Sequence, residues 1–316
     1  MPKRLLKFSL YGLLAIVLLV AALLVYWLLP VLHDPTDDYS AADTTVASAI
    51  AGRRWRQARH QFTEFILTSR SGIRVPVTIA RPLGDHPHPP AVILLAGQGT
   101  GRDACGLIET DLPLLCVALS YPYEGEARLN DLNMLWNVRE VQNAVVHTPP
   151  AVLLTLDYIS GRADLSPGRI ELVGVSLGAF LASVPAAMDT RIDRLWLIHG
   201  AADPATVLSY RLKDRFRSPW LRRWLGRGLS VLVAGPYLKP ERWVGKVAPR
   251  PVIIVNARDE QAFPPQTVER LHRAAAEPRE IIWTAGGHVM PGKQTVVHQL
   301  NTIVIDRINR ELKKPD

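Results

Sequence analysis

The stretch ELVGVSLGAF, residues 171–180, decides how the rest of the chain is read. It sets Ser176 between Gly174 and Gly178, after an apolar run and before small residues. Composition alone yields a G-x-S-x-G in about one chain of this length in ten, with Gly and Ser each near 7%. The motif therefore needs context. In a nucleophile elbow, a tight strand-to-helix turn lifts a serine Oγ above a sheet. Backbone segments approach so closely there that a Cβ at either flank clashes, which calls for Gly174 and Gly178.

The context is a series of short apolar runs. FTEFILTS (62–69) and RVPVTIARP (74–82) alternate or are β-branched and predict an antiparallel opening pair. AVILLAG (91–97), PLLCVALSYP (113–122), RIELVGV (169–175), DRLWLIHG (193–200), RPVIIVNARDE (250–260) and REIIWTAGGH (279–288) read as buried parallel strands. Helical patterns lie between them. One spans 131–147 and stops before Pro149-Pro150; others cover 177–188, 265–276 with Pro265 in its first turn, and 293–312. Strand-helix alternation predicts an α/β fold, a mostly parallel sheet with helices on both faces. No internal repeat is visible.

An activated serine needs a base within hydrogen-bond reach, an acid to orient the base, and donors for the oxyanion. Each has a candidate at a strand end. Ser176 follows the RIELVGV run. His288 follows the last run, in AGGHV, where Gly286 and Gly287 let the loop bend back. Asp259 follows the RPVIIVNARDE run; its neighbour Glu260, and Asp203 beyond the DRLWLIHG run, are the competing acids, and His199 is a second histidine beside Asp203. The oxyanion donors fall to backbone N–H groups of Leu177, directly after the nucleophile, and of Gln98, in the loop after AVILLAG. Tyr121 and Tyr123 follow a strand end and are expected to line the pocket.

With GVSLG as elbow, NARDE as acid loop and GGH as base loop, in the order Ser, Asp, His, residues 60–312 resemble the α/β-hydrolase family. The likeness is closest to its serine esterase, dienelactone-hydrolase-like and prolyl-peptidase-like branches. The resemblance implies a Ser176–His288–Asp259 triad, the same roles the chemistry requires. It implies a serine hydrolase acting on an ester or related acyl bond through an acyl-Ser176 intermediate. Acyl transfer or thioester cleavage by the same triad is the alternative. A binding module on the same fold is a third reading, disfavoured by the retention of Ser, His and Asp. Ala96-Gly97-Gln98-Gly99 departs from the His-Gly common in the family at this turn, which leaves the Gln98 side chain as a further donor. No metal-ligand spacing or phosphate loop is visible, so no cofactor and no metal are expected.

The 316-residue chain is 48% hydrophobic and carries a net charge of +8. No zinc-finger spacing, RRM signature or basic-region heptad accompanies the charge, so a membrane surface suits it better than nucleic acid. Lys3, Arg4 and Lys7 precede an uncharged stretch, Phe8 to Leu32. As a helix it exceeds the roughly 30 Å of a bilayer's hydrocarbon. It is too long for a signal-peptide core, and Ala47-Ser48-Ala49 lies well beyond its end. Residues 1–32 are therefore expected to be a transmembrane anchor, 33–58 a linker, and 59–316 the hydrolase domain. Asp34, Asp37, Asp38 and Asp43 flank the far side, with no basic residue before Arg53. The positive-inside rule then keeps the N-terminus cytoplasmic. The absence of an N-x-S/T sequon and the abundance of Ala and Arg lean towards a bacterial inner membrane and a periplasmic domain.

One segment interrupts the rhythm, an insertion over about 203–248. Its portion 211–227 holds Arg211, Lys213, Arg215, Arg217, Arg222, Arg223 and Arg227 against a single acid, Asp214, with Trp220, Leu221, Trp224 and Leu225 near helical spacing. It is expected to cap the site, and its basic face to contact anionic lipid. Cys105 and Cys116 are the two cysteines. Spacing does not decide whether they pair.

Overall fold

The computed structural model describes residues 2–28, 31, 33–97, 99–124, 136–290 and 292–313, with side chains of the first helix described from Tyr11 to Tyr26. Each run read as a strand is one: β2 His60–Ser69, β3 Arg74–Pro82, β4 Pro90–Leu95, β5 Leu115–Leu119, β6 Arg169–Val175, β7 Arg194–Ile198, β8 Val252–Ala257 and β9 Arg279–Thr284. A further strand, β1 Val46–Gln57, precedes them. Among the described residues the strands form one sheet in the order β1-β2-β3-β5-β4-β6-β7-β8-β9. The β1–β2, β2–β3 and β3–β5 pairs are antiparallel. All pairs from β5 through β9 are parallel. Strands β4 to β8 are buried along almost their whole length, because helices cover both faces.

The helices are α1 Pro2–Leu28, α2 Pro35–Ala41, α3 Val138–Ser160, α4 Leu177–Leu181, α5 Ser183–Met188, α6 Pro204–Arg211, α7 Pro219–Leu232, α8 Pro265–Ala274 and α9 Gln294–Leu312. The expected stop before Pro149-Pro150 is corrected: α3 runs through both prolines. Two lost N–H donors weaken it there. Burial of Ala151, Val152, Leu154, Leu156 and Ile159 against the sheet offsets that loss.

The expected linker, 33–58, is also corrected. Asp34 caps α2 by accepting from Thr36 N–H at 2.9 Å. Tyr39 is buried and meets the rings of Tyr237 and Trp243 edge-on, 5.7 and 5.9 Å away. The rest of the segment enters β1, an edge strand whose residues are nearly all exposed, so its periodicity carries no burial signal.

Among the described residues, no helix is long and apolar enough to cross a membrane. The transmembrane span expected over Phe8–Leu32 is therefore not seen among the described residues. Helix α1 is nonetheless continuous for 27 residues, and its described side chains are exposed from Tyr11 to Tyr26. Its far end lies near the domain, with the Arg139 guanidinium 4.2 Å from the Tyr26 ring centroid, and it touches α7.

The insertion after β7 is a helix pair. Ser218 caps α7. A Cβ on Gly226 would meet Ser209 N at 2.7 Å, so glycine sets how closely α7 approaches α6. Cys105 and Cys116 are buried free thiols, their sulfurs 2.9 Å apart. Burial pushes the Cys116 thiol up.

Candidate active site

The turn after β6 forces Ser176 into φ 54°, ψ −110°, a conformation that is strained for a residue with a Cβ. The surroundings hold it there. Ser176 N–H donates to the Ile198 carbonyl at 2.9 Å, and Ala179 N–H to the Ser176 carbonyl at 3.1 Å. A Cβ on Gly178 would lie 1.8 Å from the Leu95 carbonyl oxygen, and one on Gly174 would lie 2.6 Å from Ala182 Cβ. The two glycines are required by contact, as the motif predicts.

His288 arrives on the loop after β9. Gly286 at φ 97° and Gly287 at φ 68° turn that loop back over the sheet edge. His288 Nε2 lies 2.9 Å from Ser176 Oγ, and Nδ1 lies 2.9 Å from Glu260 Oε2. The carboxylate that meets His288 is thus Glu260, where Asp259 was expected. Asp259 is exposed and lines the cavity mouth. Arg258 N–H donates to the Thr284 carbonyl at 2.8 Å, which extends the β8–β9 ladder by one residue. The chain then turns so that Asp259 faces out and Glu260 faces in. Asp203 is engaged elsewhere: it caps α6, accepting from Thr206 N–H and Oγ1 at 3.2 and 2.8 Å.

Glu260 is held well enough to stay ionised. Burial pushes its carboxyl up, but the hydrogen bond and charge of His288 and the N–H of Ala262 outweigh this, and the net direction is down. An ionised carboxylate only accepts, so His288 carries its proton on Nδ1 and leaves the Nε2 lone pair for the serine. Phe263 packs edge-on against the His288 ring at 5.0 Å and restricts its tilt.

His199, which the sequence marks only as a second histidine near a rival acid, stands behind the pair. Its ring is fully buried, 5.6 Å from that of His288. Burial, helped by the proximity of His288 and opposed by Glu260, lowers its pKa to about 4, so it is neutral. Val289 N–H donates to its Nδ1 at 2.8 Å, which puts the remaining hydrogen on Nε2. Ligand atoms of His199, Glu260 and His288 lie within 4.8 Å of one another, close enough to raise the question of a metal ion. In this tautomer His199 Nε2 carries a hydrogen, not a free lone pair, and it has no hydrogen-bond partner among the described residues.

The oxyanion side is partly described. Leu177 opens α4, so its N–H is one of the unbonded first-turn donors beside Ser176. Gln98 lies outside the described residues. Its neighbour Gly97 faces the nucleophile, where an added Cβ would be 3.5 Å from Ser176 Cβ. Tyr121 braces this loop instead of lining the cavity: its hydroxyl donates to the Ala96 carbonyl at 2.5 Å. Tyr123 is likewise not among the described residues that line the cavity. A cavity of about 780 Å³ opens at Ser176 and His288. Of the expected cap, Arg211 at the end of α6 reaches this cavity, while Arg222, Arg223 and Arg227 of α7 line a separate one.

No protein-family model matches the chain. A stretch of 135 residues is 30% identical to the uncharacterized protein YfhR of Salmonella typhi, and to that of Salmonella typhimurium, covering 42% of this chain and 44% of either relative. The chain thus spans less than half the length of those relatives. Acetyl xylan esterase 1 from Thermoanaerobacterium sp. JW/SL YS485 superposes with a TM-score of 0.59 at 15% identity, over 85% of this chain and 93% of that one. The α/β hydrolase GrgF from Penicillium sp. sh18 gives 0.53 at 15% identity, over 80% and 97%. The chain has the α/β-hydrolase fold.

Proposed function

We propose that this protein is a serine hydrolase that cleaves a carboxylic ester. The observation that carries the reading is the line Ser176–His288–Glu260, joined by two 2.9 Å hydrogen bonds and mounted on a strained elbow. Ser176 Oγ forms a bond to the ester carbonyl carbon as its proton passes to His288 Nε2. The carbonyl oxygen becomes an oxyanion facing the N–H of Leu177 and the loop at Gly97. The intermediate collapses, the bond to the alcohol oxygen breaks, and that oxygen takes the proton from His288. The alcohol leaves acyl-Ser176. Water then attacks the acyl carbon as His288 accepts its proton, and the returning proton restores Ser176 and releases the acid. That solved neighbours are named esterases and hydrolases is consistent with this chemistry.

The test is covalent labelling. A fluorophosphonate probe should label the wild-type chain once, at Ser176, and should not label Ser176→Ala. Absence of labelling in a folded wild-type chain would end the reading.

The reading extends to placement. The uncharged stretch Phe8–Leu32, with Lys3, Arg4 and Lys7 before it, anchors the chain in a bacterial inner membrane with the domain periplasmic. Exposed apolar side chains along α1 support this. A reporter fused after Asp316 should be active outside the cytoplasm; activity inside it would reverse the topology. Helix α7 touches α1 and exposes Trp220 and Trp224, so its basic residues would meet an anionic lipid surface.

A further inference from the structure

The cavity at Ser176 continues well past the reacting atoms. Its floor is one face of the sheet, with Leu94 on β4 and Val173 on β6. Leu107 forms one wall; Val297, Leu300 and Val304 on α9 form the other. Among the described residues, the connection from β4 to β5 carries a 3₁₀ turn, Gly101–Leu107, and no α-helix. Asn301 Nδ2 donates to the Glu109 carbonyl at 2.9 Å and ties α9 to the loop beyond that turn, so the two walls are joined across the gap. The charged side chains that line the cavity, Arg211, Asp259 and Lys293, come from α6 and from the loops after β8 and β9 at the catalytic end, not from these walls.

Building on the serine-hydrolase reading, we propose that this chamber between the 3₁₀ turn and α9 binds an unbranched alkyl chain, so that the substrate is an ester of medium chain length and not an acetyl ester of a small alcohol. The whole cavity, of which the chamber is the part beyond the catalytic end, has a volume of about 780 Å³, the size that encloses a drug-sized ligand. An acetyl group would occupy little of it. Leu94, Val173, Leu300 and Val304 are buried and Leu107 and Val297 half-buried, so a chain that enters exchanges water for apolar side chains where it meets them. Each methylene buried in this way should raise kcat/KM about fourfold. The chain can belong to the acyl or the alcohol side of the ester, and both would meet the same walls.

Two substrate series on the full-length protein distinguish these sources. One is p-nitrophenyl acetate, butyrate, hexanoate and octanoate; the other is ethyl, butyl, hexyl and octyl acetate. A rise in kcat/KM of at least about tenfold from the four-carbon to the eight-carbon member is expected in one series. A rise in the first places the chain as acyl group, and a rise in the second as alkoxy group. A decline in both from the shortest member onward overturns the proposal. Val297→Trp and Leu107→Trp bring an indole in from opposite walls at partly exposed positions, where the larger side chain can be accommodated. Each should lower the eight-carbon to two-carbon ratio at least about tenfold, with fluorophosphonate labelling as the check of an intact site. An unchanged ratio in both labelled variants places the chain elsewhere and overturns the proposal. A wild-type chain that takes label but shows no length preference defeats the chamber alone; one that takes no label defeats the hydrolase reading with it.

Discussion

Replacing Glu260 by glutamine separates the two adjacent acids. Glu260 uses both oxygens: Oε1 accepts from Ala262 N–H at 2.7 Å and Oε2 from His288 Nδ1–H at 2.9 Å. Glutamine has one acceptor oxygen and one NH2. If its carbonyl stays on Ala262, the NH2 faces Nδ1. The imidazole then adopts the tautomer with its hydrogen on Nε2, which points at Ser176 Oγ 2.9 Å away. The base is lost while the geometry survives. If the amide reverses, two N–H donors meet at Ala262 in a half-buried site, and one goes unpaired at a cost of about 1–3 kcal/mol. The first arrangement is therefore favoured. A triad that loses its acid in this way drops by about 10⁴ in kcat, or about 5 kcal/mol of transition-state stabilisation.

Asp259→Asn alters an exposed side chain with no described hydrogen bond, and kcat/KM should change by no more than about threefold. The assay is kcat/KM for a p-nitrophenyl ester, with the fraction of folded chain read by circular dichroism. A Glu260→Gln chain within tenfold of wild type would refute the tautomer argument. If Asp259→Asn alone collapsed activity, the acid would have to be Asp259.

Acidification should destabilise the fold through His199. Its pKa of about 4 in the folded chain lies below the unfolded value near 6.5, so its contribution is full above about pH 6.5 and falls by roughly 3 kcal/mol as the pH drops to 4. Urea midpoints across that range should show the slope, and His199→Phe should flatten it; Glu260, also depressed, adds a further loss at lower pH. Gly178→Ala, with its Cβ 1.8 Å from the Leu95 carbonyl, should cost roughly 3 kcal/mol or more, and a thermal midpoint near wild type would contradict the elbow contacts. A chain lacking residues 1–32 should bind anionic vesicles at low salt and release at high salt, with Arg217, Arg222 and Arg223→Gln weakening it; indifference to those vesicles would make α7 a solvated face.

The sheet was legible because burial on both faces leaves a strong mark. Strand PAVILL is apolar throughout and VIIVNA is so except for Asn256, and both end where the chain must turn. Strand β1 left no such mark. Both its faces are exposed along most of its length, and its register shifts between Ala51 and Arg54, so alternation is absent where pairing still occurs. The meeting of Ser176 with His288 was legible because glycines frame both residues. The carboxylate beside His288 lies one residue beyond the expected Asp259, because Asp259 and Glu260 are equivalent as letters. What distinguishes them is a single backbone bond, Arg258 to Thr284, and that depends on how far the β8–β9 ladder runs. The helical prolines misled in the opposite direction. Their local penalty is real, but the stretch after them is buried, and tertiary packing outweighs propensity there.

The two ends of the sheet also explain why the chamber has a fixed shape. At the N-terminal ends of β6 and β7, Glu171 is buried, and burial raises its pKa even though Arg194, Trp196 and Arg169 oppose the shift. It accepts from Trp196 Nε1 at 2.5 Å and from Arg194 at 3.2 Å. Glu311, near the end of α9, pairs with Arg194 and lies 2.8 Å from Arg169. These charges pin the last turn of α9 to the sheet. Earlier in the same helix Val297, Leu300 and Val304 line the cavity. The helix that forms this wall is thus tied to the sheet at its far end. Truncating Glu171 would leave both arginines with Glu311 alone and the buried Trp196 Nε1–H without its acceptor, at a cost of roughly 1–3 kcal/mol, far from any reacting atom. It should therefore loosen the chamber and flatten the chain-length profile before it touches the Ser176–His288 hydrogen bond. Glu171→Gln, which keeps an acceptor for Trp196, should have the milder effect on both stability and profile.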